Sequence, residues 1–290
     1  MRFWHRLRAA TVKLGRIANS DLAGGDQVKY LVDELLERLR IRKRDARVYR
    51  LKDGTWVHLR GGTTDSKVFD EVFIEQIYAP FASAIPYELR SPVLVDLGAN
   101  VGLSALFLER RLRLDRIVAV EPDPENVKAL RRNLENAVAE PTVIQAFAGG
   151  SRGFAALHDA GFGAWGLRMG DESSTGVPVM PLTELIPEVP GGVLLKCDIE
   201  GGEQYLFPQI ATWDSLVSLI ILELHTEFLS WQRLLSSLES SNYKWHVHGK
   251  ISPEAVLAVL ALERGARKIE PVTIQSGSDS RSHSRGTAAV

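Results

Sequence analysis

The stretch VLVDLGANVG, residues 93–102, joins a short apolar run to a loop that has a glycine at each end. An apolar run of this length next to a turn signal is typical of a strand buried in a parallel sheet. Gly98 and Gly102 permit a tight turn and a close backbone approach by a ligand, and residues 103–111 continue with a helical pattern. The stretch therefore predicts a strand, a ligand-binding loop and a helix in direct succession.

The same alternation of short apolar runs and helical patterns continues along the chain. Asp123 and Pro124 are typical of the N-cap and first residue of a second helix, at 124–138. Parallel strands are predicted at 93–97, 117–121, 142–147, 193–198 and 219–224, and a closing antiparallel pair at 243–248 and 268–274. This order predicts an α/β fold of the Rossmann-like, doubly wound kind, with a mainly parallel seven-stranded sheet.

Four segments are predicted along the chain. Residues 1–25 form a basic amphipathic arm, and residues 26–90 an N-terminal extension with a helix at 26–44, a β-hairpin at 48–59 and a helix at 68–81 that could cover the main domain. Residues 91–275 form the cofactor-binding domain, with an inserted hairpin within 153–180. Residues 276–290 are predicted to be a disordered tail, since serine is frequent there.

Composition limits the classes of function and the compartment. The 290 residues carry a net charge of only −1, without the basic excess that extended phosphate binding brings, so no nucleic-acid partner is expected. The single cysteine, Cys197, excludes an internal disulfide framework, and no apolar run predicts a signal peptide or a membrane span. We expect a cytoplasmic protein whose arm packs on the body or on a partner; a membrane-surface anchor is the alternative.

Two cofactors compete for the glycine loop. A dinucleotide fingerprint has the form GxGxxG, but Asn100 stands in place of its middle glycine. Asp96 lies at the strand end, where a negative charge suits an ammonium or sulfonium cofactor better than a pyrophosphate. Glu121 follows Gly102 by 19 residues and can accept both ribose hydroxyls of an adenosine. The combination favours S-adenosylmethionine over a nicotinamide dinucleotide.

A second group of polar residues follows the fourth and fifth predicted strands. Asp198 and Glu200 leave the fourth strand, which in this topology lies beside the first, and His225 follows the fifth. Because neighbouring strands lie about 4.8 Å apart, His225 can come near Asp198. Methyl transfer requires removal of a proton from the acceptor, and Asp198 or His225 is the candidate base, with Glu200 beside them.

A metal ion is a further possibility at this group. Asp198, Glu200 and Glu223 could supply oxygen ligands to Mg²⁺. An acidic loop that caps a helix N-terminus is the favoured interpretation of the same residues, so no metal ligand is assigned.

Four motifs resemble those of the FkbM family of methyltransferases. They are DLGANVG at 96–102, VEPDPENV at 120–127, LLKCDIEGGE at 194–203 and ILELH at 221–225, within a likeness that spans about 48–225. The resemblance implies a class I methyltransferase fold, S-adenosylmethionine as the methyl donor and O-methylation of a sugar or natural-product hydroxyl. It implies cofactor contacts at Asp96, Gly98, Asn100, Gly102 and Glu121, and an acidic segment at Asp198, Glu200 and Glu203.

The expected acceptor is therefore a small molecule or a glycan. The alternatives are an N-methyltransferase that acts on another acceptor, a nicotinamide oxidoreductase, which Asn100 disfavours, and a non-catalytic S-adenosylmethionine-binding or protein-interaction domain. Motifs typical of base methylation, Asn or Asp before Pro-Pro-aromatic and Pro before Cys, do not occur in the sequence.

Overall fold

The computed structural model describes residues 12–39, 46–82, 92–159, 167–172, 176–189, 192–241, 244–251 and 256–263. Its first part is a lobe of helices and one hairpin. In chain order the lobe contains helices α1 (residues 12–19) and α2 (Gly24–Arg38), strands β1 (Arg47–Arg50) and β2 (Trp56–Leu59), helix α3 (Asp65–Phe69), a π-helical segment (Asp70–Ile74) and helix α4 (Ala79–Ala82). β1 and β2 pair antiparallel, which confirms the predicted hairpin.

The second part alternates strands and helices. Its elements up to the small insertion are β3 (Val93–Leu97), α5 (Leu103–Glu109), β4 (Arg116–Val120), α6 (Pro124–Leu134) and β5 (Glu140–Ile144). The insertion contains β6 (Phe147–Gly149), β7 (Gly153–Asp159), β8 (Leu167–Glu172), β9 (Val177–Pro181) and α7 (Leu182–Leu185). The remaining elements are β10 (Val193–Cys197), α8 (Glu203–Leu206), two 3₁₀ segments (Phe207–Thr212 and Asp214–Leu216), β11 (Leu219–Leu224), α9 (Trp231–Ser240), β12 (Lys244–Ile251) and β13 (Val256–Glu263).

The main sheet has the strand order β12-β13-β11-β10-β3-β4-β5. Strands β11, β10, β3, β4 and β5 pair in parallel, and β13 runs antiparallel to both β11 and β12. The chain order reverses at β3, which has the fourth parallel strand, β10, on one side and the second, β4, on the other. This confirms the predicted doubly wound, mainly parallel sheet and places the ligand-binding switch point at the end of β3.

Both faces of the sheet are covered, so its strands are apolar on both sides. On one face Leu94, Ile117 and Leu194 pack against α5, α6 and the N-terminal lobe, and the rings of Phe73 and Phe107 meet at 5.7 Å. The other face packs against α9 and the 3₁₀ segments. The core between them contains Val93, Val95, Leu97, Leu195, Phe207, Ile210 and Leu234. Alternate residues of β3 thus enter different cores, and Asp96 faces the core that the lobe covers.

A second, four-stranded sheet with the order β6-β9-β7-β8 branches from the main sheet after β5. β7 and β8 pair antiparallel, which confirms the hairpin predicted within 153–180. β6 follows β5 directly, so the single strand predicted at 142–147 is two short strands in different sheets.

Two sequence-based boundaries were wrong. The helix predicted at 124–138 ends at Leu134, and Val138, expected on its buried face, is 94% exposed. The closing antiparallel pair consists of Lys244–Ile251 and Val256–Glu263, so 268–274 was the wrong partner for the strand predicted at 243–248. Only four residues separate β12 from β13, and such a short connection favours a hairpin over a later partner. Residues 268–274 and the predicted tail, 276–290, lie outside the described residues.

The described part of the predicted arm packs within the N-terminal lobe. Ile17 and Leu22 are buried, and Leu22 forms an isolated bridge with Leu51 beside the hairpin. Residues 1–11 of the arm lie outside the described residues. None of the helices in the described residues is both long enough and apolar enough to span a membrane.

Candidate active site

A cavity of about 360 Å³ lies at the carboxyl ends of β3, β4 and β10. Small-molecule sites typically have volumes of about 300–1,000 Å³. One wall is the loop after β3, and another is the segment after β10. The lobe covers the cavity with residues between Val68 and Tyr78, where the predicted helix at 68–81 passes from α-helical to π-helical geometry. The switch point of the sheet therefore holds a ligand-sized site.

The loop after β3 contains three residues in the left-handed region. Gly98, Asn100 and Gly102 have φ angles of 71°, 50° and 85°. A Cβ atom on Gly98 would lie 1.8 Å from the carbonyl oxygen of Asp198, so this glycine permits the loops after β3 and β10 to touch. A Cβ atom on Gly102 would lie 2.7 Å from Cδ1 of Leu130, so that glycine permits α5 to pack on α6. Gly98 and Asn100 line the cavity, whereas Gly102 is not among its lining residues.

Glu121, at the end of β4, holds this loop in place. Its buried carboxylate accepts hydrogen bonds from the backbone N–H groups of Asn100 (2.8 Å) and Asp123 (3.1 Å) and from the side-chain amide of Asn126 (3.1 Å). Burial raises the pKa of Glu121 to about 7, although these three donors oppose the shift. A carboxylate has about four acceptor positions, so Glu121 retains capacity for a hydroxyl group in the cavity.

Asp96 lies beneath the cavity rather than on its wall. It is fully buried, and its Oδ2 accepts a hydrogen bond from the Ser104 hydroxyl at 2.6 Å. Its Oδ1 lies 3.2 Å from Nζ of Lys196, without hydrogen-bonding geometry. Lys196 also donates to the carbonyl oxygen of Gly98 at 2.9 Å and lies 3.3 Å from Oδ2 of Asp198. This ammonium group therefore ties β3, its loop and the end of β10 together.

The charge of Lys196 is fixed by its neighbours. Burial opposes a charged ammonium, but the carboxylates of Asp96 and Asp198 raise the pKa of Lys196 well above its ordinary value. Lys196 is thus a permanent cation on the cavity wall.

Asp198, Glu200 and His225 come together at the end of β10 and β11. Nε2 of His225 lies 3.3 Å from Oε2 of Glu200 and 4.0 Å from Oδ1 of Asp198. Its Nδ1 lies 3.0 Å from Oε1 of the fully buried Glu203. Asp198, Glu200 and His225 can each direct one ligand atom to a common point, because these ligand atoms all lie within 4.8 Å of one another. The structure thus confirms that His225 lies near Asp198.

The electrostatics of this group depend on its crowded carboxylates. Burial lowers the pKa of His225, but the hydrogen bond and charge of Glu203, with the charges of Asp198 and Glu200, raise it to about 10. The charge of Asp198, together with burial, raises the pKa of the neighbouring Glu223 to about 8. Without a bound cation, the group therefore retains protons at neutral pH.

The structure brings most of the sequence-predicted site residues to one cavity. Gly98, Asn100, Glu121, Asp198 and Glu200 line it. The other three predicted residues, Asp96, Gly102 and His225, are not among its lining residues and contact those that are. Glu223 lines the cavity, but His225 takes its place in the group that could bind a metal.

Sequence reasoning missed the roles of Lys196 and Glu203. Lys196 stands in the apolar run VLLKC, where a charged residue is unexpected, and it is the register partner of Asp96. That anomaly was a usable signal. Glu203 was placed in the acidic segment after the fourth strand, but its contact with His225, across 22 residues of sequence, was not predicted.

Two curated proteins resemble part of the chain. Methyltransferase sdnD of Sordaria araneosa is 31% identical over 130 residues, which are 45% of this chain and 41% of that protein. The AMB antimetabolite synthetase AmbE of Pseudomonas aeruginosa is 34% identical over 68 residues, which are 23% of this chain and 3% of that protein. The chain thus matches less than half the length of either relative.

Solved structures with low sequence identity also resemble the chain. A precorrin-6y C5,15-methyltransferase from Geobacter metallireducens is 18% identical, with a TM-score of 0.39, over 65% of this chain and 89% of that chain. A ribosomal protein L11 methylase from Lactobacillus delbrueckii is 13% identical, with a TM-score of 0.38, over 66% of this chain and 77% of that chain. Similarity at this level indicates nothing about the acceptor.

The family is shown by a sequence match that contains the site. The Methyltransferase FkbM domain matches residues 96–245, slightly more than half of the chain. This range includes the loop after β3, Glu121 and the group around Asp198. The chain therefore belongs to the FkbM family of S-adenosylmethionine-dependent methyltransferases.

Proposed function

We propose that this methyltransferase O-methylates a hydroxyl group of a sugar, a glycan or a natural-product small molecule, in the cytoplasm and without a nucleic-acid partner. The observation that carries the proposal is that one cavity is lined both by the loop after β3 and by Asp198 and Glu200. A donor held by the loop would face carboxylates that can accept the proton of a hydroxyl group.

The residues of the cavity fit the methyl donor. S-adenosylmethionine supplies the electrophilic methyl group when it is bound. Glu121 would accept a hydrogen bond from one ribose hydroxyl, since it lies on the cavity wall and three donors already occupy most of its about four acceptor positions. Gly98 and Asn100 would contact the cofactor directly, and Gly102 would act by shaping the start of α5. Asp96 would act through Lys196 and Ser104, which both line the cavity.

Asp198 is the residue that we assign to the acceptor's proton. It lines the cavity with a side chain that is 25% exposed, whereas His225 lies behind it. In the reaction the C–S bond of the donor breaks as a C–O bond forms, and the proton of the hydroxyl passes to the carboxylate of Asp198. General base catalysis of this kind contributes roughly 10²- to 10⁴-fold. Glu200 and His225 would orient Asp198 and the acceptor.

An amine acceptor is the second candidate, because the cavity wall is acidic. Glu71 and Glu75 of the lobe line the cavity together with Glu200 and Glu223. Lys196, the one basic side chain among the lining residues that the structure describes, is already paired with Asp96 and Asp198. A cationic amine would be attracted to this wall, so N-methylation belongs in the same test.

The test is a methyl-transfer screen with matched acceptors. The full chain is incubated with isotopically labelled S-adenosylmethionine and pairs of compounds that differ in one hydroxyl or amino group, and mass spectrometry locates the label. We expect the label on oxygen, with one molecule of S-adenosylhomocysteine formed for each methyl group transferred. Label found on nitrogen alone would contradict the O-methylation proposal.

A further inference from the structure

We propose that Asp198, Glu200 and His225 bind a divalent transition-metal ion, such as Mn²⁺, at the acceptor end of the cavity. Each residue can supply one ligand atom, and these atoms lie within 4.8 Å of one another. Two of the residues line the cavity, so the ion would be accessible from it. The inference rests on the proposed function only in assigning this end of the cavity to the acceptor.

The spacing of the ligand atoms suits a coordination shell. At metal–ligand distances of about 2.1 Å, neighbouring ligands of an octahedron lie about 3.0 Å apart and opposite ligands about 4.2 Å apart. Nε2 of His225 lies 3.3 Å from Oε2 of Glu200 and 4.0 Å from Oδ1 of Asp198. Both distances fall within that range, so the three side chains could supply part of a coordination shell after small rotations.

An independent observation, outside these three residues, also points to a cation. Glu203 is fully buried and directs Oε1 to Nδ1 of His225 at 3.0 Å, while its Oε2 has no hydrogen-bond partner among the described residues. A carboxylate on the far ring nitrogen is the usual support for a histidine that binds a metal, because it orients the ring and fixes the tautomer.

The surrounding charges leave room for a divalent ion. Lys196 is shared between Asp96 and Asp198, at 3.2 and 3.3 Å. Carboxylate oxygens of Glu200 and Glu203 lie 3.3 and 3.0 Å from the two ring nitrogens of His225, and Glu223 interacts electrostatically with the same group. A divalent cation would compensate this excess of negative charge without any additional basic residue.

The donor set favours a transition metal over Mg²⁺. Mg²⁺ prefers oxygen ligands and retains several waters, whereas an imidazole beside carboxylates suits Mn²⁺, Fe²⁺ or Zn²⁺. The oxygen-only site considered from the sequence used Glu223, but the structure replaces it with His225 in the group. An ion at this point would retain open positions and hold the acceptor's oxygen beside Asp198, and its charge would favour passage of the proton to that carboxylate.

Direct metal titration tests the proposal without an activity assay. The full chain is treated with EDTA, dialysed and titrated with Mn²⁺ in the absence of cofactor, while electron paramagnetic resonance measures free Mn²⁺. We expect one ion per chain and at least tenfold weaker binding of Mg²⁺ in competition. Asp198→Asn and His225→Gln should each weaken Mn²⁺ binding at least tenfold, and Glu203→Gln by about 10- to 100-fold.

A matched control comes from the same region of the chain. Glu227 is an exposed acid two residues beyond His225, and Glu227→Gln should leave Mn²⁺ affinity unchanged. Circular dichroism and calorimetric cofactor binding establish that each variant is folded. Absence of Mn²⁺ binding to the wild type, or equal binding by folded His225→Gln and Asp198→Asn variants, would overturn the proposal. O-methylation by protein shown to be free of metal would contradict the role of the ion with the acceptor, while leaving the proposed function intact. Mn²⁺ binding together with methylation of nitrogen alone would support the metal site and contradict the proposed O-methylation.

Discussion

Replacement of Lys196 by methionine tests the buried charges beneath the cofactor loop. Lys196 is 2% exposed and Asp96 is 0% exposed, so neither charge is stabilised by solvent. Methionine keeps most of the apolar stem but removes the ammonium group. The variant leaves Oδ1 of Asp96 without its cation and the carbonyl oxygen of Gly98 without its donor.

The structure sets the size of the effect. Removal of one partner from a buried ion pair typically costs about 3–5 kcal/mol, because the other charge remains buried. Asp96 keeps its hydrogen bond from Ser104 at Oδ2, so we expect a loss of about 4 kcal/mol in the free energy of unfolding. The double variant Lys196→Met, Asp96→Asn removes both charges and should recover about half of that loss.

Urea unfolding followed by tryptophan fluorescence measures these differences at about pH 7.5 and about pH 5. Burial raises the pKa of Asp96, so acid protonates it more readily once the cation is gone, and the cost of Lys196→Met should be smaller at pH 5. Lys128→Met is the control, because that lysine has a 72% exposed side chain on α6 and should change stability by less than about 0.5 kcal/mol. A loss below about 1 kcal/mol in Lys196→Met, or a double variant that costs the sum of the two single variants, would refute the reasoning.

Three further predictions concern the cofactor. Glu121→Ala should weaken S-adenosylmethionine binding by about 1–3 kcal/mol in calorimetry, through loss of charge-assisted hydrogen bonds; unchanged affinity would remove Glu121 from the site. Because the pKa of Glu121 is raised to about 7, wild-type affinity should fall as the pH decreases through about 7, and a flat profile would contradict this role. Deletion of residues 1–25 removes the buried Ile17 and Leu22, so it should lower stability by several kcal/mol yet leave the cofactor affinity of the folded fraction unchanged. Loss of binding in a folded truncation would place the arm in the catalytic unit.

The order of elements was predictable because each strand carries its own signal. Three apolar runs, before Gly98 and ending at Cys197 and Leu224, predicted parallel strands where the structure has them. The cap at Asp123 predicted the start of a helix correctly. Topology then predicted that Asp198 and His225 would be neighbours, since their strands pair in parallel. Local periodicity and the switch-point rule thus suffice to predict the order of the strands and helices and the position of the site at the end of β3.

Contacts that depend on register or on side-chain direction were not predictable. The pairing of Lys196 with Asp96 requires the register of β10 on β3, which no sequence pattern specifies. The contact of Glu203 with His225 requires the start of α8 to face the end of β11. The role of Gly98 was only half anticipated, because the backbone that approaches it is that of Asp198.

The central claim is that Asp198 handles the acceptor while the loop after β3 and Glu121 hold the donor. The measurement that tests it most directly is single-turnover methyl transfer by Asp198→Asn beside calorimetric binding of S-adenosylmethionine to the same variant. Asparagine keeps the shape of the side chain and removes its charge, so transfer should fall by about 10²- to 10⁴-fold while cofactor affinity barely changes. Full transfer activity in the variant would contradict the catalytic role of Asp198, and a parallel loss of cofactor affinity would move it to the donor site.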